Sequence, residues 1–191
     1  MSRPLFSRIA RPLAVMALLA AGACAPGPQR VVLFPGAEAP AGVGQGRTVA
    51  LVVQDQVVAP KAGPGEVPGM IVSDSAAVVR ATLEGALAQA GFVTAPVDSP
   101  RLTVVLHELS YTTPTTVLKG TVRAQVAVEA IATGAGGTFR RTYKVFQERE
   151  IALVPFARKD GTLLNQALSE VLGRMLADPE VLAALGAAPP R

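Results

Sequence analysis

The stretch VRAQVAVEAIATGAGGTFRRTYKVFQEREI, residues 122–151, decides the fold. Apolar residues occupy every second position in its first part: Val122, Ala124, Val126, Val128 and Ala130. Because side chains alternate between the two faces of a strand, this pattern predicts a β-strand with one buried and one solvated face. The Gly-rich turn at 134–137 leads into a second run of similar length. The stretch therefore predicts an antiparallel hairpin of long strands at 116–132 and 138–153.

Four further elements flank this hairpin: a strand at 48–54, a helix at 74–90, a strand at 102–109 and a helix at 160–177, followed by a short helix that begins at Asp178-Pro179. Each long helix carries one apolar stripe at helical spacing, so each buries one face. We expect Ser73 or Asp74 to cap the first helix, Asp160 the second and Asp178 the short one, with Pro179 at its first helical position. The order predicts an α+β domain with a four-stranded mixed sheet in β-α-β-β-β-α order and both helices packed on one face.

The first 23 residues have the composition of an export signal. Three arginines precede the apolar run 13–21, which is too short to span a bilayer. The tetrapeptide Ala21-Gly22-Ala23-Cys24 resembles a bacterial lipobox and contains the only cysteine of the chain. The resemblance implies a lipoprotein signal peptide over 1–23, cleavage after Ala23, and a diacylglyceryl group on Cys24 that anchors the protein to a membrane. The alternative is an ordinary secretory signal, with Cys24 incidental.

The processed chain divides into three parts. Residues 24–46 combine the lipidated cysteine with a stretch rich in Pro and Gly, which predicts a flexible tether. The apolar patch VVLF at 31–34 inside it is either an edge strand or a docking segment. Residues 47–186 form the predicted globular α+β domain in the periplasm, and residues 187–191 form a C-terminal tail.

Composition and charge exclude several classes of protein. Half of the 191 residues are apolar and one is a cysteine, which excludes a disordered chain and a disulfide framework. The formal net charge is +4, but the first 23 residues hold three of the 18 basic residues and none of the 14 acidic ones. The processed chain therefore carries 15 basic and 14 acidic residues. This balance argues against nucleic acid as a partner, because nucleic-acid binding needs clustered positive charge.

Few residues are of a type that can carry catalysis. His107, the single histidine, lies on a predicted strand, and no nucleophile motif accompanies it. Glu148 and Glu150 point to one face of a strand and are either an acid–base pair or partners in surface ion pairs. We interpret all three as structural, and we predict no catalytic residue, no metal site and no cofactor.

A small basic cluster follows the Gly-rich turn. It consists of Arg140, Arg141 and Lys144. Basic side chains near an anionic membrane surface are attracted to it, so the cluster is a candidate contact for lipid headgroups or for a partner. The alternative is an ordinary charged strand edge.

Five features of the chain occur in the same order in one known family: the lipobox at 21–24, the strand at 48–54, the helix and turn at 79–92, the strand at 123–132 with its Gly turn, and the helix at 164–176 with Asp178-Pro179. The chain thus resembles the YajG family of bacterial lipoproteins. This resemblance implies a lipoprotein of the cell envelope. In the sorting pattern of Gram-negative lipoproteins, Ala25 after Cys24, in place of Asp, implies the outer membrane.

We therefore expect a non-enzymatic binding or scaffolding module that is anchored through Cys24 and contacts an envelope protein. The alternative is an auxiliary lipoprotein of an envelope lipid- or solute-trafficking transporter, which binds an apolar ligand. A contiguous apolar groove favours this alternative. A polar open face of the sheet favours the scaffold.

Overall fold

The computed structural model describes residues 30–58, 63–96, 98, 100–114, 119–152 and 161–187. The strands are β1 (Arg30–Val31), β2 (Thr48–Asp55), β3 (Glu66–Pro68), β4 (Met70–Ile71), β5 (Val93–Thr94), β6 (Arg101–Pro114), β7 (Lys119–Gly134) and β8 (Gly137–Ala152). The helices are α1 (Ser75–Gln89), α2 (Thr162–Leu176) and α3 (Pro179–Ala184). The predicted signal peptide with Ala23 and Cys24, the predicted cap Asp160 and the tail residues 188–191 lie outside the described residues.

Six strands form the main sheet. Five of them have the order β5-β2-β6-β7-β8. The sixth, β3, pairs with β6 and is not part of this linear order. β2 and β6 run parallel, whereas β6, β7 and β8 are antiparallel neighbours. The predicted hairpin is present as β7 and β8, which are paired from the turn at Gly134 and Gly137 along their full length.

The predicted four-stranded sheet in β-α-β-β-β-α order is too small. β3 and β5 add two strands to it, and β1 pairs with β4 in a separate parallel ribbon, so the strand order also differs from the prediction. Each of these four strands has only two or three residues. Because an alternating pattern needs about four residues to be recognised, strands this short leave no periodic signal in the sequence.

The helices cover one face of the main sheet and bury a single core against it. The predicted stripe on α1 is buried: Val79, Leu83, Ala86, Leu87 and Ala90. The predicted stripe on α2 is also buried: Leu164, Ala167, Leu168, Val171, Leu172, Met175 and Leu176. From β7 the core receives the alternating series Val122, Ala124, Val126, Val128 and Ala130. We call this side of the sheet the helix face and the opposite side the open face.

Side-chain caps begin two of the three helices in the described residues. The carboxylate of Asp74 accepts a hydrogen bond from the N–H of Ala77 at 3.0 Å and caps α1. Asp178 accepts from the N–H of Glu180 at 2.9 Å and caps α3, with Pro179 at the first helical position. Both caps agree with the sequence, because Asp satisfies the free N–H groups of a helix start and Pro lacks one.

Residues 30–46 pack against the domain. Three apolar side chains of this segment are buried in the core: Val31, Leu33 and Val43. The N–H of Gly44 also donates to the carbonyl of Ala90, beyond the end of α1, at 2.9 Å. The flexible tether that the sequence predicts over 24–46 therefore does not extend to residues 30–46, because apolar burial there outweighs the chain freedom that Pro and Gly indicate.

Candidate functional site

An exposed apolar surface lies at the N-terminal end of the described chain. β1 and β4 pair in parallel, with Arg30 opposite Met70 and Val31 opposite Ile71. Alternate side chains of these strands and their continuations are exposed; they are Val32, Phe34, Met70 and Val72, at 55, 63, 45 and 48%. We call these four residues the apolar ribbon. A group of exposed apolar side chains of this kind is typical of a contact surface.

Hydrogen bonds to α2 fix the orientation of the apolar ribbon. Asn165, in the first turn of α2, accepts from the N–H of Phe34 at 2.7 Å and donates to the carbonyl of Val32 at 3.0 Å. One turn further along α2, the hydroxyl of Ser169 accepts from the N–H of Gly36 at 2.9 Å. Asn165 is only 4% exposed, so these bonds are shielded from water. The ribbon is therefore a fixed part of the domain surface.

Close packing beneath β1 explains how α2 begins. Gly161, the residue before α2, has a φ of +66° and gives no side-chain cap. A Cβ atom added there would lie 2.5 Å from Cγ1 of Val31. Glycine is required here both by the left-handed backbone and by the contact with β1.

The predicted basic cluster does not form one surface. Because neighbours on a strand alternate, Arg140 and Lys144 lie on the open face of β8, whereas Arg141 lies on the helix face. The guanidinium of Arg140 is 3.5 Å from the carboxylate of Glu129. Lys144 is exposed and has no ion-pair partner among the described residues. Only two of the three predicted contact residues therefore share a face.

Arg141 belongs to a polar cluster between β8 and α3. Its guanidinium donates to the carboxylate of Asp178 at 2.6 Å, also binds Glu180, and lies over the ring of Phe139, 4.9 Å from the centroid. The hydroxyl of Tyr143 donates to the same Asp178 carboxylate at 2.6 Å. Since the side chain of Asp178 is only 5% exposed, the cluster fastens α3 to β8.

Burial and hydrogen bonding set the titration of this cluster. Burial raises the pKa of Tyr143, and its hydrogen bond to Asp178 raises that pKa further. At Asp178 burial opposes ionisation, but the hydrogen bonds from Tyr143 and from the N–H of Glu180, with the charge of Arg141, outweigh it and lower the pKa. Each group thus keeps its ordinary charge near neutral pH, which fits a structural role.

The remaining predicted candidates lie apart on the open face. His107 sits at a β-bulge of β6, and its Nε2 atom is 3.4 Å from the carboxylate of Glu129. Glu148 and Glu150 share the open face of β8, and Glu148 is 3.6 Å from Arg123. Within the described part of the chain, no three metal-ligating side chains cluster. The charged groups of this face instead form ion pairs between neighbouring strands, in which Glu129 is shared by His107 and Arg140, and Arg123 by Glu66 and Glu148.

Two open clefts border β2. The first, of about 520 Å³, lies against β2 and α1 and is lined by the charged residues Arg80, Glu84, Asp98 and Arg101. The second, of about 420 Å³, lies between the start of β2 and the end of α3. Its lining is mostly apolar and includes Pro100, Ala135, Ala184 and Leu185. Both volumes are within the range of small-molecule sites.

Sequence reasoning misses the apolar ribbon and the Asp178 cluster. The VVLF patch at 31–34 indicates one half of the ribbon, but Met70 and Val72 follow a loop rich in Pro and Gly and carry no strand signal. Asp178 is predicted only as a helix cap. Its contact with Arg141 depends on where α3 returns to the sheet, which no local pattern encodes.

Comparison with known proteins identifies the family. The profile of the uncharacterized lipoprotein family Lipoprotein_16 matches residues 41–186. Because the match covers most of the chain, the chain belongs to this lipoprotein family. No curated protein matches it. A crystal structure of an uncharacterized protein aligns over 78% of this chain and 97% of its own, at 14% identity and a TM-score of 0.37.

Membership of a lipoprotein family indicates an envelope location. Among the helices of the described residues, none has both the length and the hydropathy to cross a membrane. The narrower YajG-like assignment and the processing sites Ala23 and Cys24 stay predictions from the sequence.

Proposed function

We propose that this protein is a lipid-anchored lipoprotein that acts as a non-enzymatic binding or scaffolding module of the cell envelope. Cys24 carries the lipid after cleavage at Ala23, the outer membrane holds the anchor, and the domain faces the periplasm. The lipoprotein family supports the envelope setting. The polar open face of the sheet supports a scaffold more than a lipid carrier.

The position of the apolar ribbon is the observation that carries this proposal. Val32 follows Cys24 by eight residues. The chain from Cys24 to Arg30, where β1 begins, spans at most about 20 Å when fully extended. The headgroup layer on one side of a bilayer is about 6 Å thick. The ribbon is therefore within reach of the membrane that holds the anchor, and we place it against that surface.

Anchor and ribbon contribute differently to membrane binding. Each buried methylene contributes about 0.8 kcal/mol, so a lipoprotein with two or more acyl chains is held firmly. Burial of a half-exposed apolar side chain contributes about 1 kcal/mol. The ribbon thus orients the domain on the membrane, whereas the acyl chains retain it there.

The anchor is tested by Cys24→Ser in the full chain. We expect the wild-type protein to fractionate with membranes and to show a diacylglyceryl and acyl mass increment after processing. The Cys24→Ser variant is expected in the soluble fraction without that increment, and the control Ala41→Ser behaves as wild type. An unmodified wild-type mass, or a Cys24→Ser variant that stays with the membranes, contradicts the anchor.

The ribbon is tested separately, on the full chain with Cys24→Ser and at a lipid concentration high enough to measure weak binding, since the ribbon alone does not retain the chain on membranes during cell fractionation. We expect sedimentation with vesicles of phosphatidylethanolamine and phosphatidylglycerol to fall on Phe34→Ser. Val93→Ser is the control, since Val93 lies on β5, outside the ribbon, and is 52% exposed against 63% for Phe34. Equal binding of both variants contradicts the membrane contact but leaves the anchor intact.

The second cleft favours one alternative function. Its apolar lining at Pro100, Ala184 and Leu185 suits an apolar ligand carried by an auxiliary lipoprotein of a transporter. We expect this alternative to show as lipid that is extracted from purified wild-type protein and is lost on Ala184→Trp, which fills the cleft. Protein that yields no lipid contradicts it.

A further inference from the structure

Among the described residues, the last strand of the main sheet has one unpaired edge. β8 is 16 residues long and pairs with β7 on one side. In the described residues no strand pairs with its other side. An edge of this length presents unpaired backbone N–H and C=O groups that another strand can complete.

The open-face side chains of β8 divide by charge. Arg140 and Lys144 lie in the first half and Glu148 in the second, with Phe146 between them. Phe146 is 57% exposed, although it lies at the middle of a long strand. A strand with a basic half and an acidic half is complementary to itself when a second copy runs antiparallel to it, because opposite charges then face each other.

We propose that two copies of this chain associate through their β8 strands, which pair antiparallel about a two-fold axis at Phe146. In this register Lys144 lies opposite Glu148 of the partner subunit, and the two Phe146 rings contact each other. The arrangement is isologous and closed, so it stops at a dimer. A parallel arrangement would place like charges side by side, which is destabilising.

The groups that this register uses are accessible. Lys144 has no ion-pair partner in the described part of the chain, and the side chain of Glu148 is 57% exposed, even though it approaches Arg123 at 3.6 Å. Arg140 stays with Glu129 at 3.5 Å and is not needed at the axis. The interface lies on the edge opposite β5 and does not involve the apolar ribbon, so it is independent of the anchor.

Cysteine cross-linking tests the axis in the full chain with Cys24→Ser, which has no other thiol. Phe146→Cys is expected to form a disulfide-linked dimer under mild copper–phenanthroline oxidation. Lys144→Cys is the matched control, since in this register the two 144 positions lie about 13 Å apart along the strands. We expect it to cross-link about tenfold less, because a disulfide tolerates only Cβ atoms that nearly touch. Absence of the Phe146→Cys dimer, or equal yields at both positions, overturns the proposal.

Charge exchange tests the register. Lys144→Glu is expected to lower the Phe146→Cys cross-linking yield about tenfold, since it places two pairs of like charges across the axis. The double variant Lys144→Glu with Glu148→Lys is expected to restore the yield. Arg101→Glu changes the net charge equally on β6, away from the free edge, and is expected to have no effect. Failure of the double variant to recover, with its circular dichroism melt unchanged, overturns the register.

Discussion

The two faces of the main sheet place neighbouring arginines in different environments. Arg141 on the helix face binds a carboxylate that is 5% exposed and shares it with Tyr143. Arg140, one residue earlier, is 65% exposed on the open face and approaches Glu129 at 3.5 Å. The first pair connects α3 to β8, whereas the second joins the neighbouring strands β7 and β8, with the Glu129 side chain 17% exposed.

This difference separates charges that build the fold from charges that are available for contacts. The Asp178 cluster fastens α3 to β8, and its removal leaves buried polar groups without partners. The ion pairs of the open face are screened by water and can be exchanged for contacts with another molecule. A charge introduced by mutation should therefore have opposite consequences on the two faces.

The largest effect is expected from Leu168→Asp. Leu168 lies in α2 with no exposed surface, so the variant places an unpaired carboxylate in the core. We expect loss of cooperative unfolding in a circular dichroism melt of the Cys24→Ser chain. Thr138→Asp adds the same charge on the open face, opposite the uncharged Thr133, and is expected to melt as the parent does. A normal melt for Leu168→Asp contradicts the helix face assigned here.

A smaller effect is expected from Asp178→Ala. The change removes the cap of α3 and leaves the hydroxyl of Tyr143 without its acceptor. We expect the free energy of unfolding to fall by about 3 kcal/mol in urea titrations. Glu129→Ala, which breaks two contacts of the open face, is the control and is expected to cost about 0.5 kcal/mol. If both variants lowered the free energy of unfolding equally, the charges of the helix face would contribute no more to stability than those of the open face.

The pH dependence of stability follows from the same carboxylate. The pKa of Asp178 is lowered in the folded protein, below its unfolded value of about 3.9. Its contribution is therefore fully present above about pH 4 and is lost as the pH falls through the folded pKa. We expect the free energy of unfolding to decrease more steeply below about pH 4 in the parent chain than in Asp178→Asn. Parallel pH profiles would show that Asp178 is not responsible.

The long elements of this fold could be predicted from the sequence because each carries its own period. Alternating apolar residues predict β7, and the apolar stripes predict α1 and α2. Every predicted stripe residue is buried. The patch VVLF at 31–34 offered an edge strand as one of two alternatives, and β1 overlaps it at Val31. The short strands β3, β4 and β5 could not be predicted, since two or three residues contain no period. The Pro and Gly residues in 30–46 predicted a flexible chain, but Val31 and Leu33 are buried and hold this segment against the domain.

The candidate site was less predictable, because it depends on which distant residues meet. Alternation alone separates Arg141 from Arg140 and Lys144, so the division of the basic cluster between two faces could have been read from the sequence. The partner of Arg141 could not, since Asp178 lies 37 residues further along the chain. The apolar ribbon likewise requires the pairing of β1 with β4, which lie about 40 residues apart.

The smallest effect is expected from Arg140→Ala, compared with Arg141→Ala. Loss of the ion pair between the exposed Arg140 guanidinium and Glu129 should change the free energy of unfolding by less than about 0.5 kcal/mol. Loss of Arg141 should be larger, because it leaves the buried carboxylate of Asp178 with one charged partner fewer. Urea titrations at low and high salt separate the two: added salt should remove the Arg140 effect and leave most of the Arg141 effect. If the neighbours responded alike, burial on the helix face would not be the cause of the difference.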